Sequence, residues 1–155
     1  MTERLACDPN ELRHLFLFEK LSDDQLDWLC ERGRIEVHEP GTMFTEGEPA
    51  RSFFVLLEGS VRLSRLVGGD DVEISRTDQR GAYAGAWSAF LGDASPQTYT
   101  VTMRALTPAR FYVLDAGDFT KLMQQWFPMA LHLLEGLFLG QQRTHVGRIF
   151  DQKYA

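Results

Sequence analysis

Residues 34–77 are a succession of short apolar stretches cut by glycine, and nothing else in the chain limits the fold as strongly. "RIEVHEPGTMF" alternates around Pro40-Gly41, "SFFVLLEGSVRLSRLV" breaks at Glu58-Gly59, and "VEISRT" follows Gly68-Gly69-Asp70. A period of two puts successive side chains on opposite faces, and each interruption is a turn dipeptide, so these stretches are strands rather than helices. The Gly-Gly-Asp step is the sharpest hairpin signal, because glycine enters left-handed turn conformations without steric cost. Further on, "YTVTMRAL" and "ARFYVLD" read as a last strand pair joined around Thr107-Pro108. About eight short strands at regular spacing predict a mainly β fold, a Greek-key or jelly-roll barrel.

The flanks have a different period. In "DPNELRHLFLFEKLSDDQLDWLCERG", Leu12, Leu15 and Phe16, then Leu21, Leu26 and Leu29, recur at helical spacing, with Asp8 and Ser22 at N-cap positions and Gly33 as the stop. From Ala116 onward Phe119, Leu122, Met123 and Trp126, then Met129, Leu133, Leu137 and Gly140, again follow helical faces, and Pro128 breaks that segment in two. The expected organisation is one domain over 1–155: helices over 8–33, the barrel over 34–115, and helices over 116–155. Leu133, Leu137, Gly140, Thr144 and Gly147 form a stripe whose small residues let two helices approach, which predicts a homodimer through the C-terminal helix. The pattern is still helical at the last residue, with no Gly or Pro after Phe150. The segment is therefore expected to be the N-terminal part of a longer protein with a covalently attached effector.

Charge and composition remove several classes of function. A net charge of −6 and the lack of a Lys/Arg cluster argue against a nucleic-acid partner. The apolar runs fall short of the roughly 18 residues of a membrane span, and the N-terminus has no basic region followed by an apolar one, so the expected location is the cytoplasm, away from membranes. Cys7 and Cys30 have no CxxC spacing and no His at ligand spacing; they are expected to be buried or incidental free thiols, with no metal site. The histidines His14, His38, His132 and His145 are scattered. There is no nucleophile elbow, P-loop or HExxH, and Glu46 and Glu48 flank Gly47 as turn charges, so no catalytic residues are assigned and no enzyme is expected.

Pro40-Gly41, Phe44, Gly47-Glu48, Ala50, Phe54-Val55, Gly59 and Val61, followed by "RGAYAGAWSAFLG" and "SPQTYTVTMRAL", carry a resemblance. Over residues 10–140 the chain resembles the cyclic nucleotide-binding domain shared by catabolite-activator-type regulators and cyclic-nucleotide-gated kinases and channels. That resemblance implies a barrel with B- and C-type helices after it, and a phosphate-binding cassette over 81–101. In the family, a Glu after the cassette glycine takes the ribose 2′-hydroxyl, backbone amides face the cyclic phosphate, and an Arg pairs with its charge.

Carried over position by position, the Glu site falls on Ala86 and the Arg site on Gln97. A charged hydrogen bond is worth roughly 1.5–3 kcal/mol, so losing both weakens cyclic nucleotide binding by about two to four powers of ten. The remaining ligand-binding residues of the cassette are Gly85, Ala86, Trp87, Ser88, Pro96, Gln97, Thr98 and Tyr99, a neutral set of amides, hydroxyls and rings that leaves cAMP or cGMP a weak ligand or none. Arg104 and Arg62 are the candidates for a substitute cation. If Thr98, Thr100 and Thr102 share one face of a strand, Arg104 falls with them and Tyr99 and Met103 fall on the other.

Three readings follow. The first is a regulatory sensor with a cyclic nucleotide-binding fold and an altered cassette, signalling through its C-terminal helix to an effector such as a sensor kinase or a redox enzyme. The second is a working cAMP or cGMP receptor that uses Arg104 or Arg62. The third is a ligand-free dimerisation or interaction module whose pocket is filled by Trp87, Tyr83 or Phe90.

Overall fold

The structure, a computed structural model, describes residues 3–86, 97–126, 128–129 and 131–133. A short strand, β1 (Glu3–Leu5), precedes helix α1 (Pro9–Arg13). Asp8 caps α1, its carboxylate accepting the Asn10 N–H at 2.9 Å, and Pro9 begins the helix where its missing N–H has no consequence. After a 3-10 turn over Phe16–Phe18, helix α2 (Asp23–Arg32) opens on a reciprocal capping box. Ser22 Oγ accepts the Gln25 N–H at 3.2 Å and Gln25 Oε1 accepts the Ser22 N–H at 2.8 Å. Both predicted caps are therefore in place. The first helix is shorter than its periodicity suggests, and the 3-10 turn rotates the pattern: Leu17 and Phe18 are buried, whereas Phe16 is exposed.

The strands that follow are β2 (Arg34–His38), β3 (Gly41–Phe44), β4 (Ser52–Glu58), β5 (Val61–Val67), β6 (Asp70–Thr77), β7 (Tyr83–Gly85), β8 (Thr102–Ala105) and β9 (Ala109–Asp115). They form two antiparallel sheets, one ordered β1-β2-β9-β4-β7 and the other β3-β8-β5-β6. This is the jelly-roll arrangement expected of the sequence. The β5–β6 hairpin turns at Gly68-Gly69, both with positive φ. The expected pair made of "YTVTMRAL" and "ARFYVLD" does not form: β8 lies between β3 and β5, while β9 lies between β2 and β4 in the other sheet. Thr107-Pro108 is a crossover rather than a hairpin, as is the Glu58-Gly59 step between β4 and β5. Gly59 is fixed there by a φ of +108° and by Pro108 O and Ala109 Cα, which a Cβ would meet at 2.7 and 2.9 Å.

Strand β4 separates two cores. Phe53, Val55 and Leu57 face the helices, with Tyr112 and Leu114 of β9, Leu26 and Leu29 of α2, and Phe119 and Leu122 of helix α3 (Ala116–Gln125). Phe54 and Leu56 face the space between the sheets with Phe111, Val113, Val61, Met103, Ala105, Phe44 and Tyr99. The Tyr112 hydroxyl donates to Leu29 O at 2.7 Å, and burial holds its pKa far above the ordinary value. Gly33, the stop of α2, has ordinary extended backbone; its small size matters because a Cβ would overlap the Tyr112 hydroxyl. The helical run after the barrel breaks where expected: Trp126, two residues before Pro128, leaves the helix, and residues 128–129 and 131–133 are helical again.

The cysteines overturn their expectation. Cys7 and Cys30 are joined in a disulfide with their Cα atoms 5.2 Å apart, and neither is free. Sequence spacing could not bring them together, because the contact is made by α2 folding back over the residues after β1.

Candidate functional site

The cassette's entry and exit are described; Trp87, Ser88, Phe90, Ser95 and Pro96 lie outside the described residues. Entry comes along β7, which pairs with β4 through Tyr83↔Val55, Ala84↔Phe54 and Gly85↔Phe53. Gly85 has a φ of +104°, and a Cβ there would come within 2.5 Å of Ser52 O. The next residue, Ala86, donates its N–H to that same Ser52 carbonyl at 2.9 Å and is buried. The small, buried Ala86 side chain thus stands on a backbone pinned to β4.

The exit is held by the loop between β3 and β4. Gln97 O accepts the Ala50 N–H at 2.9 Å, Thr98 bridges to Pro49, Tyr99 N–H donates to Glu48 O and Gly47 N–H donates to Tyr99 O, both at 2.9 Å. Thr98 is exposed and Tyr99 is 7% exposed, so the alternation read from the sequence sends Tyr99 inward. Its ring stacks on Phe44 with centroids 4.1 Å apart, and Phe44 stacks in turn on Phe54 at 5.6 Å. Its hydroxyl accepts from the Arg51 and Ser52 N–H groups at 3.2 and 3.1 Å. Entry and exit therefore converge on one residue: Ser52 gives its carbonyl to Ala86 and its N–H to Tyr99. Arg51 O in turn accepts the Ala116 N–H at 2.8 Å, at the start of α3. Sequence reasoning named Tyr99 among the rings of the cassette and missed Arg51, Ser52 and Phe44 as its partners; only the shared parity of Tyr99 and Met103 was available as a signal.

The two candidate cations stand elsewhere. Arg62 and Arg104 are directly opposite in the β5–β8 register and alternate with Val61, Met103 and Ala105, which fill the interior. Both lie on the outer face of their sheet. Arg62 pairs with Asp71 and Glu73, each at 2.9 Å, and Arg104 is exposed. Glu46 and Glu48 serve the loops as expected, accepting the Leu66 and Thr45 N–H groups at 2.9 Å. Among the described residues no three His, Cys, Asp or Glu side chains gather as a metal site, and no helix is long and apolar enough to cross a membrane.

Tyr83, on the opposite face of β7 from the interior, donates its hydroxyl to Leu133 O at 2.9 Å. Burial keeps this phenol protonated well beyond its ordinary pKa, so it remains a donor. His132, next to Leu133 in the chain, is buried, with Nε2 2.6 Å from Phe16 O and its ring stacked on Phe16. The entry strand of the cassette is thereby fastened to the helical segment after the barrel.

Comparison with known proteins agrees with this geometry. The profile of the cyclic nucleotide-binding domain matches residues 34–125. Among solved structures, the sensor domain of the transcriptional regulator DNR from Pseudomonas aeruginosa is 27% identical, with 86% of this chain and 88% of that one aligned and a TM-score of 0.68. The N-terminal domain of a transcriptional regulator from Streptomyces coelicolor A3(2) is 26% identical over 86% of this chain and 91% of that one, with a TM-score of 0.61. A cyclic nucleotide-binding domain from Methylobacillus flagellatus, 18% identical, has the same fold at a TM-score of 0.76 over 97% of this chain and 89% of that one. No curated protein sequence matches the chain. With the family profile spanning more than half of its length, the chain belongs to the cyclic nucleotide-binding domain family.

Proposed function

We propose that the chain is a non-catalytic regulatory sensor whose cassette reports to the helices after the barrel. The observation that carries this reading is the 2.9 Å hydrogen bond from Tyr83, on the strand entering the cassette, to Leu133 O. A change in the cassette that moves β7 must stretch or shift that bond, and a buried phenol without it would be left unsatisfied. The ligand class is a cyclic nucleotide, cAMP or cGMP, bound weakly or not at all because Ala86 and Gln97 stand at the Glu and Arg sites. A receptor using Arg62 or Arg104 has less support, since both guanidinium groups belong to the outer face. Dimerisation through Leu137, Gly140, Thr144 and Gly147 concerns residues outside those described. Two relatives above a quarter identity are domains of transcriptional regulators, which favours the effector of a transcriptional regulator over a sensor kinase or redox enzyme.

Isothermal titration with cAMP and cGMP tests the cassette, using the native chain and the Ala86→Glu, Gln97→Arg double variant. Silence at micromolar ligand from the native chain, with binding restored in the double variant, is expected. Micromolar binding by the native chain overturns the altered-cassette reading. Hydrogen exchange then tests the relay: ligand should change the protection of the amides of Met129, Leu131, His132 and Leu133 in the double variant, and adding Tyr83→Phe should abolish that change. Binding with no change in those amides overturns the relay.

A further inference from the structure

We infer that the Tyr99 hydroxyl is a built-in occupant of an oxygen-binding subsite formed by the Arg51 and Ser52 amides, and that an oxyanion gains this subsite only when the phenol leaves. The inference rests on the sensor reading, because it treats the space between the sheets as a ligand site.

In a regular strand, consecutive N–H groups point to opposite sides. At Arg51 and Ser52 they converge on one atom, Tyr99 Oη, at 3.2 and 3.1 Å, just where β4 begins. Successive amides aimed at one point make a concavity that suits an anion or a strongly negative oxygen. A phenol oxygen fills it here, and the ring behind that oxygen is stacked on Phe44 and 7% exposed, so ring and hydroxyl block the position together. The position is also wired to the rest of the domain. Ser52 O holds Ala86 at the cassette entry and Arg51 O holds Ala116 at the start of α3, so replacing the occupant acts on both. The chemistry demanded of an incoming group is acceptor oxygen, with negative charge favoured and no cation required from the cassette.

Inorganic phosphate is the probe, followed through the Arg51 and Ser52 amide resonances of the native chain, Tyr99→Ala and Tyr99→Phe. In the native chain millimolar phosphate should leave both resonances in place. In Tyr99→Ala both should move saturably, and p-cresol, which restores a phenol to the vacated space, should compete. In Tyr99→Phe the ring remains and the acceptor is lost, so exchange of the two amides should quicken about tenfold, the equivalent of one hydrogen bond of ordinary net strength. Saturable phosphate shifts in the native chain overturn the inference, as does a folded Tyr99→Ala chain that shows none. If Tyr99→Ala does not fold, unchanged exchange in Tyr99→Phe overturns it alone. The cyclic nucleotide titration of the double variant is independent of these outcomes, so failure of the sensor reading is distinguishable from failure of the subsite.

Discussion

The two faces of β4 divide the molecule into a scaffold and a site. Toward the helices, Phe53 is fully buried and stacks on Phe119 at 4.2 Å, within a core of aliphatic and aromatic side chains that closes over α2 and α3. Toward the space between the sheets, Phe54 belongs to a column of stacked rings, Phe44 and Tyr99, that ends on polar atoms, the amides of Arg51 and Ser52. Adjacent residues of one strand thus serve different ends. An apolar core that ends on apolar groups serves packing alone, whereas one that ends on convergent donors retains a place that another acceptor can take.

The strongest way to break this division is to truncate both faces. Phe53→Ala should cost about 3–5 kcal/mol, as expected for a fully buried ring, whereas Phe54→Ala, whose ring keeps 7% exposure, should fall at the low end of that range. Urea unfolding of the two variants measures the difference, and equal costs would mean that the space between the sheets is packed no more loosely than the helical side. Next in size is the disulfide. Closing a loop of sequence separation 23 is worth about 3 kcal/mol, so a Cys7→Ser, Cys30→Ser chain should lose stability by that order. Its amide signals around Tyr99 should stay unchanged, because the staple belongs to the helical side; changes there would join the two regions into one.

The smallest effect belongs to Glu11. Its carboxylate takes a bidentate pair from Arg110 at 2.8 and 2.7 Å and a further contact from Arg80 at 3.0 Å, tying α1 to β9. The Arg110 hydrogen bonds, opposed by burial and aided by the charges of Arg110 and Arg80, lower its pKa below 4.5. A carboxylate whose folded pKa is depressed adds stability above its unfolded value and loses it as pH falls through the lower folded value. Glu11→Gln should therefore cost about 1 kcal/mol at neutral pH, a partly exposed pair being screened, and the difference from the native chain should vanish in acid below that folded value. Thermal unfolding across pH measures this; a constant difference would remove the charge from the explanation.

What the sequence disclosed was local or alternating. Asp8 and Ser22 could be read as caps because a cap bonds residues two or three positions away. Tyr99 could be placed on the face of Met103, opposite Arg104, because alternation is a local property, but which of the two faces turns inward could not be read from it. The pairing partners could not: Thr107-Pro108 looks the same whether the chain turns back on itself or crosses to the other sheet, and only the second occurs. Strand β1 is too short to leave a period, and the disulfide depends on how α2 returns across it. The amides of Arg51 and Ser52 carry no side-chain signature at all, which is why the subsite that receives Tyr99 was invisible.

The crossover at Gly59 also governs the order in which the domain can assemble. Because β4 and β5 enter different sheets, the β5–β6 hairpin is the one strand pair among the described residues that can form from neighbouring chain. Residues 34–38 must wait for 109–113, and 52–58 for 110–115, so both sheets stay open until nearly all of the barrel has left the ribosome. Such non-local pairing slows folding. For that interval β4, apolar on both faces, has neither of its cores, and the emerging chain is at its most exposed to aggregation.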